Sequence, residues 1–337
     1  MTTRHRALAL LAGAALTVGL TACSTGSSAS TPSATTETSA AAATFPVTLT
    51  GAFGDTVIDS KPVRVAAIDA VDQEIALSLG VEPVISQRYG DYPLEPHVQE
   101  QLKTMGISEL ATYDATDGTD FEAVAAAKPD VILATSGWEL DAEYEQLAKI
   151  APVVAYTEGG LNSMSWADRT LLVGQALGLQ AEAEQVIADV DKAFSDAAAA
   201  NPQFAGKSYI YSVIHPDQIS FINYDGADNK FFTDLGFVLP EQAAEFSESN
   251  SAVSKENLDK LEADVLLIGY PFGDEAVISR SALESDPLFQ SLSVVKNGGY
   301  AVLGDDVASP LAYPTPLSQP WVLEQILPLL QSATGTQ

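Results

Sequence analysis

The chain has 337 residues, 46% of them hydrophobic, with 16 Lys and Arg against 45 Asp and Glu and a net charge of −29. A chain this acidic is repelled by phosphate backbones, which excludes nucleic acid as a partner. One cysteine excludes an internal disulfide, and three histidines are too few for a His-rich zinc or manganese site.

Arg4, His5 and Arg6 precede an apolar run over residues 7–20, too short for a permanent membrane helix and right for the core of an export signal. It ends in Leu20-Thr21-Ala22-Cys23, small residues before the only cysteine, and so resembles a bacterial lipobox. Residues 1–22 are expected to be a lipoprotein signal peptide, with Cys23 the lipidated residue anchored by two or three acyl chains. Removing Arg4 and Arg6 leaves 14 Lys and Arg against 45 acids, a charge of −31. Residues 23–44 are the lipidated Cys and a Ser/Thr/Ala tether too polar to order itself.

Alternating Thr and Val with Gly51 and Gly54 predict an extended hairpin over 45–61. Residues 63–68 read as a buried strand, Asp69 as a helix cap, 72–79 as a helix closed by Gly80, and 81–85 as the next strand. A loop over 86–93 carries Arg88, Tyr89 and Tyr92. Helices are predicted at 97–105 and 121–127, and strands at 130–134 and 153–156. From Trp166 to Ala200 an apolar stripe runs through Leu172, Ala176, Leu179, Ala183, Val186, Val190, Phe194 and Ala197 at steps of three or four. Gly178 divides it, leaving a second helix of about 20 residues, roughly 30 Å long. The stretch reads as a spine joining two α/β lobes, or as an ordinary packed helix of one large domain. Beyond it come strands at 207–213, 219–223, 265–269 and 300–303, helices at 229–235, 255–262 and 320–331, and a loop at 271–281.

A shift of 134 places Glu122 on Glu256, Asp130 on Asp264, and Val131-Ile132-Leu133 on Val265-Leu266-Leu267. A helix leading through Asp into an apolar strand thus occurs once per half, which implies two similar lobes. The fold expected is α/β, two Rossmann-like lobes joined by one long helix with a ligand cleft between: a first lobe at 45–165, the spine at 166–204, a second lobe with a closing helix at 205–337.

Together Cys23, Lys61-Pro62-Val63-Arg64-Val65, Leu79-Gly80-Val81-Glu82-Pro83-Val84, Lys128-Pro129-Asp130-Val131-Ile132, residues 166–178 and residues 256–267 resemble the bacterial ABC-transporter substrate-binding lipoproteins of the iron-siderophore and cobalamin class. The resemblance covers nearly all of 45–330. It implies a monomer tethered to the outer face of the cell membrane, carrying a ferric siderophore to a permease and ATPase, with no tightly bound cofactor and small closure. It also implies that Glu122 and Glu256 pair with arginines of the permease. Haem or cobalamin is an alternative cargo in the same fold, and a ligand-sensing receptor or an enzyme an alternative of another class. No dinucleotide, P-loop, serine-hydrolase or His-pair metal signature is present, so no catalytic residue and no metal ligand is assigned.

Ligands of open α/β sheets bind beyond the carboxyl ends of strands. That places Arg88, Tyr89 and Trp138 in the first lobe and His215, Tyr224, Tyr270 and Arg280 in the second as candidate contacts, with Tyr313 near the closing helix. Arginine forks and aromatic faces suit a bulky, often anionic chelate. Each aromatic also fits a core position, and His215 either completes an iron site or is an ordinary loop residue. Arg64 reads as structural and Arg169 as lying on a helix face.

Overall fold

The computed structural model describes residues 44–160, 163–271 and 275–335. The expected leader, Cys23 and all of the tether but Thr44 lie outside them. A hairpin opens the described chain, β1 (Val47–Gly51) pairing antiparallel with β2 (Gly54–Ile58) in the register Val47↔Ile58. The first lobe then alternates β3 (Val65–Ala67), α1 (Ala70–Ser78), β4 (Ile85–Arg88), α2 (Pro96–Met105), β5 (Thr112–Asp114), α3 (Phe121–Ala127), β6 (Val131–Ala134), α4 (Leu140–Leu147) and β7 (Val153–Ala155). Its five strands are parallel in the order β5-β4-β3-β6-β7. Val131, Ile132, Leu133 and Ala134 are all fully buried, as the centre of a sheet covered on both faces requires.

Two helices follow, α5 (Trp166–Leu177) and α6 (Gln180–Ala200). Ser165 and Asp168 cap α5 reciprocally, and Gly178 closes it in the left-handed conformation. The helices meet closely at Gly174, where a Cβ would stand 2.4 Å from that of Ala183. Helix α6 is the spine: Ala183 packs into the first lobe's core, and Val190, Phe194 and Ala197 into the second's.

The second lobe contains β8 (Tyr209–Ile214), β9 (Ile219–Phe221), α7 (Lys230–Thr233), β10 (Ala252–Val253), β11 (Val265–Gly269), α8 (Arg280–Ser285), α9 (Pro287–Ser291), α10 (Ser293–Lys296), β12 (Tyr300–Leu303), α11 (Asp305–Ala312) and α12 (Ser318–Ala333). Its sheet, β10-β9-β8-β11-β12, keeps β8, β11 and β12 parallel and reverses β9, which pairs antiparallel with both β8 and β10. Helix α12 seals this core with Val322, Leu323, Ile326 and Leu330, while Leu317 just before it packs on Leu77, Val98 and Leu102 of the first lobe. The lobes are therefore held together at α12 as well as along the spine.

The repeat has a structural counterpart. Asp130 accepts the backbone N–H of Val63 and of Arg64, each at 2.9 Å, and Asp264 accepts that of Ser208 at 2.9 Å. In each lobe the carboxylate before the fourth strand thus holds the approach to the first. Partial burial works against ionisation of Asp264, but the bonds from Ser208 and Lys207 prevail and keep it below the usual carboxylate range.

Three expectations shift. The strand expected at 81–85 is β4, three to four residues later, because Val81 N–H closes α1 by bonding Ala76 O at 2.9 Å and Pro83 has no N–H to give. Arg88 consequently lies at the end of a strand rather than in a loop. The helix expected at 255–262 is a 3₁₀ segment, Lys255–Leu261, broken at Asn257. The stretch between β11 and β12, read as a loop over 271–281 and left unassigned after it, contains the short helices α8 to α10.

Candidate ligand-binding cleft

In the first sheet the chain runs outward through β4 and β5 on one side of β3 and through β6 and β7 on the other, so a crevice opens where β3 and β6 end. Asp69, following β3, caps α1 by accepting Asp72 N–H at 2.9 Å. Asp72 is fully buried and accepts both the backbone N–H and the hydroxyl of Thr135, each at 2.6 Å, which fastens α1 to the end of β6.

Arg169 reaches this corner from α5. It is 8% exposed and donates from Nε to Thr135 O at 3.3 Å and from Nη1 to Met164 O at 3.4 Å. Burial lowers the guanidinium pKa, and the charges of Asp72 and Asp69 oppose that shift. Asp69 is pushed well above the usual carboxylate range, first by burial and then by the charge of Asp72. Its Oδ2 is buried without a hydrogen-bond partner among the described residues.

Above this floor lies a cavity of about 560 Å³, within the range of small-molecule sites. Ser136, Trp138, Met164, Trp166 and Arg169 line the first lobe's side, and Tyr209, Tyr211, Asn223, Tyr224 and Phe231 the other. Trp138 and Tyr313 meet edge to face, ring centres 6.3 Å apart, and both remain about half or more exposed. The tyrosine wall is braced from behind. Asn223 accepts Tyr211 N–H at 2.9 Å and donates to Tyr209 O at 2.9 Å, and Tyr209 donates its hydroxyl to Asn229 at 2.9 Å. Burial raises the pKa of Tyr209 and Tyr211, so both hydroxyls stay protonated, that of Tyr209 being given to Asn229. Lys230 pairs with Asp234 on its own helix and stands 3.6 Å from Asp191 on the spine.

Of the eight candidate contacts, Trp138, Tyr224 and Tyr313 line this cavity; the other five do not. Arg88 turns back to donate to Tyr92 O at 3.2 Å, and Tyr89 stands exposed in the following loop. His215 sits in the β8–β9 turn, where its N–H bonds Gln218 O at 2.8 Å. Tyr270 is buried in the core on the other face of the second sheet, and Arg280 is exposed and paired with Glu284 at 2.7 Å. The antiparallel return of β9 explains the displacement. It carries the segment 222–224 back beside Tyr209 and Tyr211, and that segment, not the turn at His215, supplies the second wall.

Arg169, read as lying on a helix face, does lie on α5, but that face is buried and forms the cavity floor. Trp166, Arg169, Thr170 and Val173 recur at the helical period and are all buried, a signal the overlapping apolar stripe through Leu172 and Ala176 obscured. Tyr209 and Tyr211 were hidden inside an apolar strand. Arg64 bonds Ala127 O and Lys128 O and so caps α3, a structural role. Glu122, in the first turn of α3, and Glu256, in the 3₁₀ segment, are both exposed. Among the described residues no group of three or more His, Cys, Asp or Glu is placed to hold a metal ion, and no helix is long and apolar enough to cross a membrane.

A family model described as periplasmic binding protein matches residues 65–307. The Fe(3+)-citrate-binding protein of Bacillus subtilis is 24% identical over 252 residues, 73% of this chain and 74% of that protein. Among solved structures, Streptococcus pneumoniae PiaA in complex with ferrichrome is 32% identical with a TM-score of 0.71, covering 86% of this chain and 99% of that one. A periplasmic solute-binding protein of Mycobacterium smegmatis is 28% identical, also at a TM-score of 0.71, over 86% and 99%.

Proposed function

Since the chain belongs to the periplasmic binding protein family, we propose that it is the substrate-binding component of an ABC importer, holding a ferric siderophore between its lobes and delivering it to a permease and ATPase. The cavity at the first sheet's crevice supports this most directly. It joins two indoles and several phenol rings to one buried arginine, a surface suited to an organic chelate that already wraps its iron. Neither remaining histidine lines it, which favours a siderophore over haem held by an imidazole: His97 packs against Glu74, and His215 lies in the turn. Glu122 and Glu256, each exposed beside a matched Asp–strand unit, are the proposed permease contacts, since carboxylates on rigid segments can dock on a basic surface. Cys23 is the proposed anchor on the outer face of the cell membrane, and the protein works there as a monomer without catalysis.

Trp138 and Trp166 line the cavity, so binding is read from intrinsic fluorescence. Addition of ferric chelates of the hydroxamate, catecholate and citrate types is expected to quench emission, with at least one saturating below about 1 μM. No response to any of them at tenfold higher concentration rejects the reading.

A further inference from the structure

The charge of the cleft wall narrows the class of chelate it accepts. We propose that the cavity selects ferric chelates that are neutral or cationic, the uncharged ferric tris-hydroxamate above all, and turns away polyanionic ones. The inference rests on the ferric-siderophore reading above and specifies it.

Among the described residues two cations line the cavity, Arg169 and Lys230, and both stand beside acids. Arg169 faces Asp72 and Asp69 and gives two of its N–H bonds to the carbonyls of Thr135 and Met164. Asp72 cannot turn away to release it, since both carboxylate oxygens are fixed by Thr135 at 2.6 Å. Lys230 is bonded to Asp234 and faces Asp191. The wall also carries Asp228 and Glu248, so its carboxylates number four against two cations before Asp72 is counted. The short segments 161–162 and 272–274 contain no Lys or Arg. An entering ligand therefore meets a net negative cavity with low-dielectric aromatic walls, where like charges repel far more strongly than in water.

Ligand chemistry sorts on this. Each hydroxamate gives up one proton, so three of them cancel the charge of ferric iron and leave a neutral complex. Three catecholates give up six protons and leave a trianion. Carboxylate-rich chelates such as ferric citrate are anionic as well. What the cavity offers is aromatic faces with indole N–H and phenol O–H donors, which can bond hydroxamate oxygens without supplying compensating positive charge. Arg169 adds hydrogen bonds, its charge being already matched.

The test uses the mature chain and isothermal titration with ferrichrome (neutral), ferrioxamine B (cationic), a ferric tris-catecholate (trianionic) and ferric citrate, at about 20 mM and about 300 mM NaCl. The expected result is that a neutral or cationic chelate binds at least roughly a hundredfold more tightly than the trianion at low salt. Salt should strengthen any residual binding of the anions, by screening repulsion, and leave the neutral complex unchanged. Asp228→Asn with Glu248→Gln should raise the affinity for the trianion about tenfold or more relative to that for ferrichrome; an unchanged ratio overturns the proposal. Equal or tighter binding of an anionic chelate, or its weakening by salt, overturns the proposal while leaving the siderophore reading standing. If a chain with an ordinary unfolding transition binds none of the four, the siderophore reading falls and this one with it.

Discussion

Thr315 is where the two lobes are most directly bonded, and its replacement by valine gives a quantitative test. The residue is fully buried, and its Oγ1 donates to Glu74 Oε2 of the first lobe at 2.7 Å across 241 residues of sequence. The same oxygen accepts the N–H of Leu317 at 3.2 Å and of Ser318 at 2.9 Å, capping α12. Glu74 Oε2 also lies 3.0 Å from His97 Nε2, at ion-pair distance though off the line of a hydrogen bond, and the His97 ring lies 5.5 Å from that of Trp321 on α12. Valine keeps the shape and leaves no cavity, so the cost is polar. A bond to a carboxylate contributes about 1.5–3 kcal/mol and a helix cap about 1 kcal/mol, giving roughly 2.5–4 kcal/mol. For about 290 ordered residues at roughly 2 cal/mol/K each, Tm should fall by about 4–7 °C. Urea denaturation of Thr315→Val, Glu74→Leu and the double variant isolates the bond itself, with an expected coupling of about 1–2 kcal/mol. A loss below about 0.5 kcal/mol in the single variant, or additivity within that margin, would show that α12 is held by apolar contacts alone.

Phe194→Ala should cost about 3–5 kcal/mol in chemical denaturation, because the ring is 4% exposed and packs edge-on to Phe231 at 4.9 Å, joining the spine to the cavity wall. Asp69→Asn tests the sign of a titration. The folded state raises this carboxyl above the usual carboxylate range, so folded chains keep a proton that unfolded chains release, and stability falls as pH rises from about 4 toward neutrality. Asparagine keeps the cap on α1 without that proton, so the variant's melting temperature should fall less than the wild type's across the window; parallel curves would contradict the assignment. Glu122→Ala with Glu256→Ala should leave ferric-chelate affinity within about twofold and abolish uptake by cells dependent on the importer, since surface substitutions cost little stability; undiminished uptake would remove the docking role.

Much of the scaffold was legible because its signals are local. The continuous apolar runs at 265–269 and 300–303 are strands with those bounds, and Asp69 caps its helix as the pattern of residues predicts. The helices α8 to α10 span four to six residues each, too short to show a period, and α4 starts without a side-chain cap. The binding wall was less legible because it depends on topology. Whether the loop after β8 or the loop after β9 faces the cleft turns on the direction of β9, and direction leaves no mark in the composition of a three-residue strand. Arg169 belongs to the same class of difficulty. Helix α5 has apolar residues toward its own lobe and a second buried face toward the cleft, and only the facing lobe reveals the second.

The buried polar groups of the cleft floor fit a site that changes little when filled. Asp72, Thr135 and Arg169 join α1, β6 and α5 through bonds that no ligand needs to form. An unpaired charge there would cost several kcal/mol, so each partner holds the others in place without help from a ligand. The opposite wall is braced in the same way by Asn223, whose two bonds fix the strand bearing Tyr209 and Tyr211. With α6 packed into both cores and Thr315 bonded across to Glu74, the lobes lack the single free hinge that wide closure requires. What remains adjustable is the mouth, where Trp138 and Tyr313 are exposed and carry little of the core. A ligand is therefore recognised against walls already in place, and its affinity depends on how well its charge and shape match them rather than on work done to assemble them.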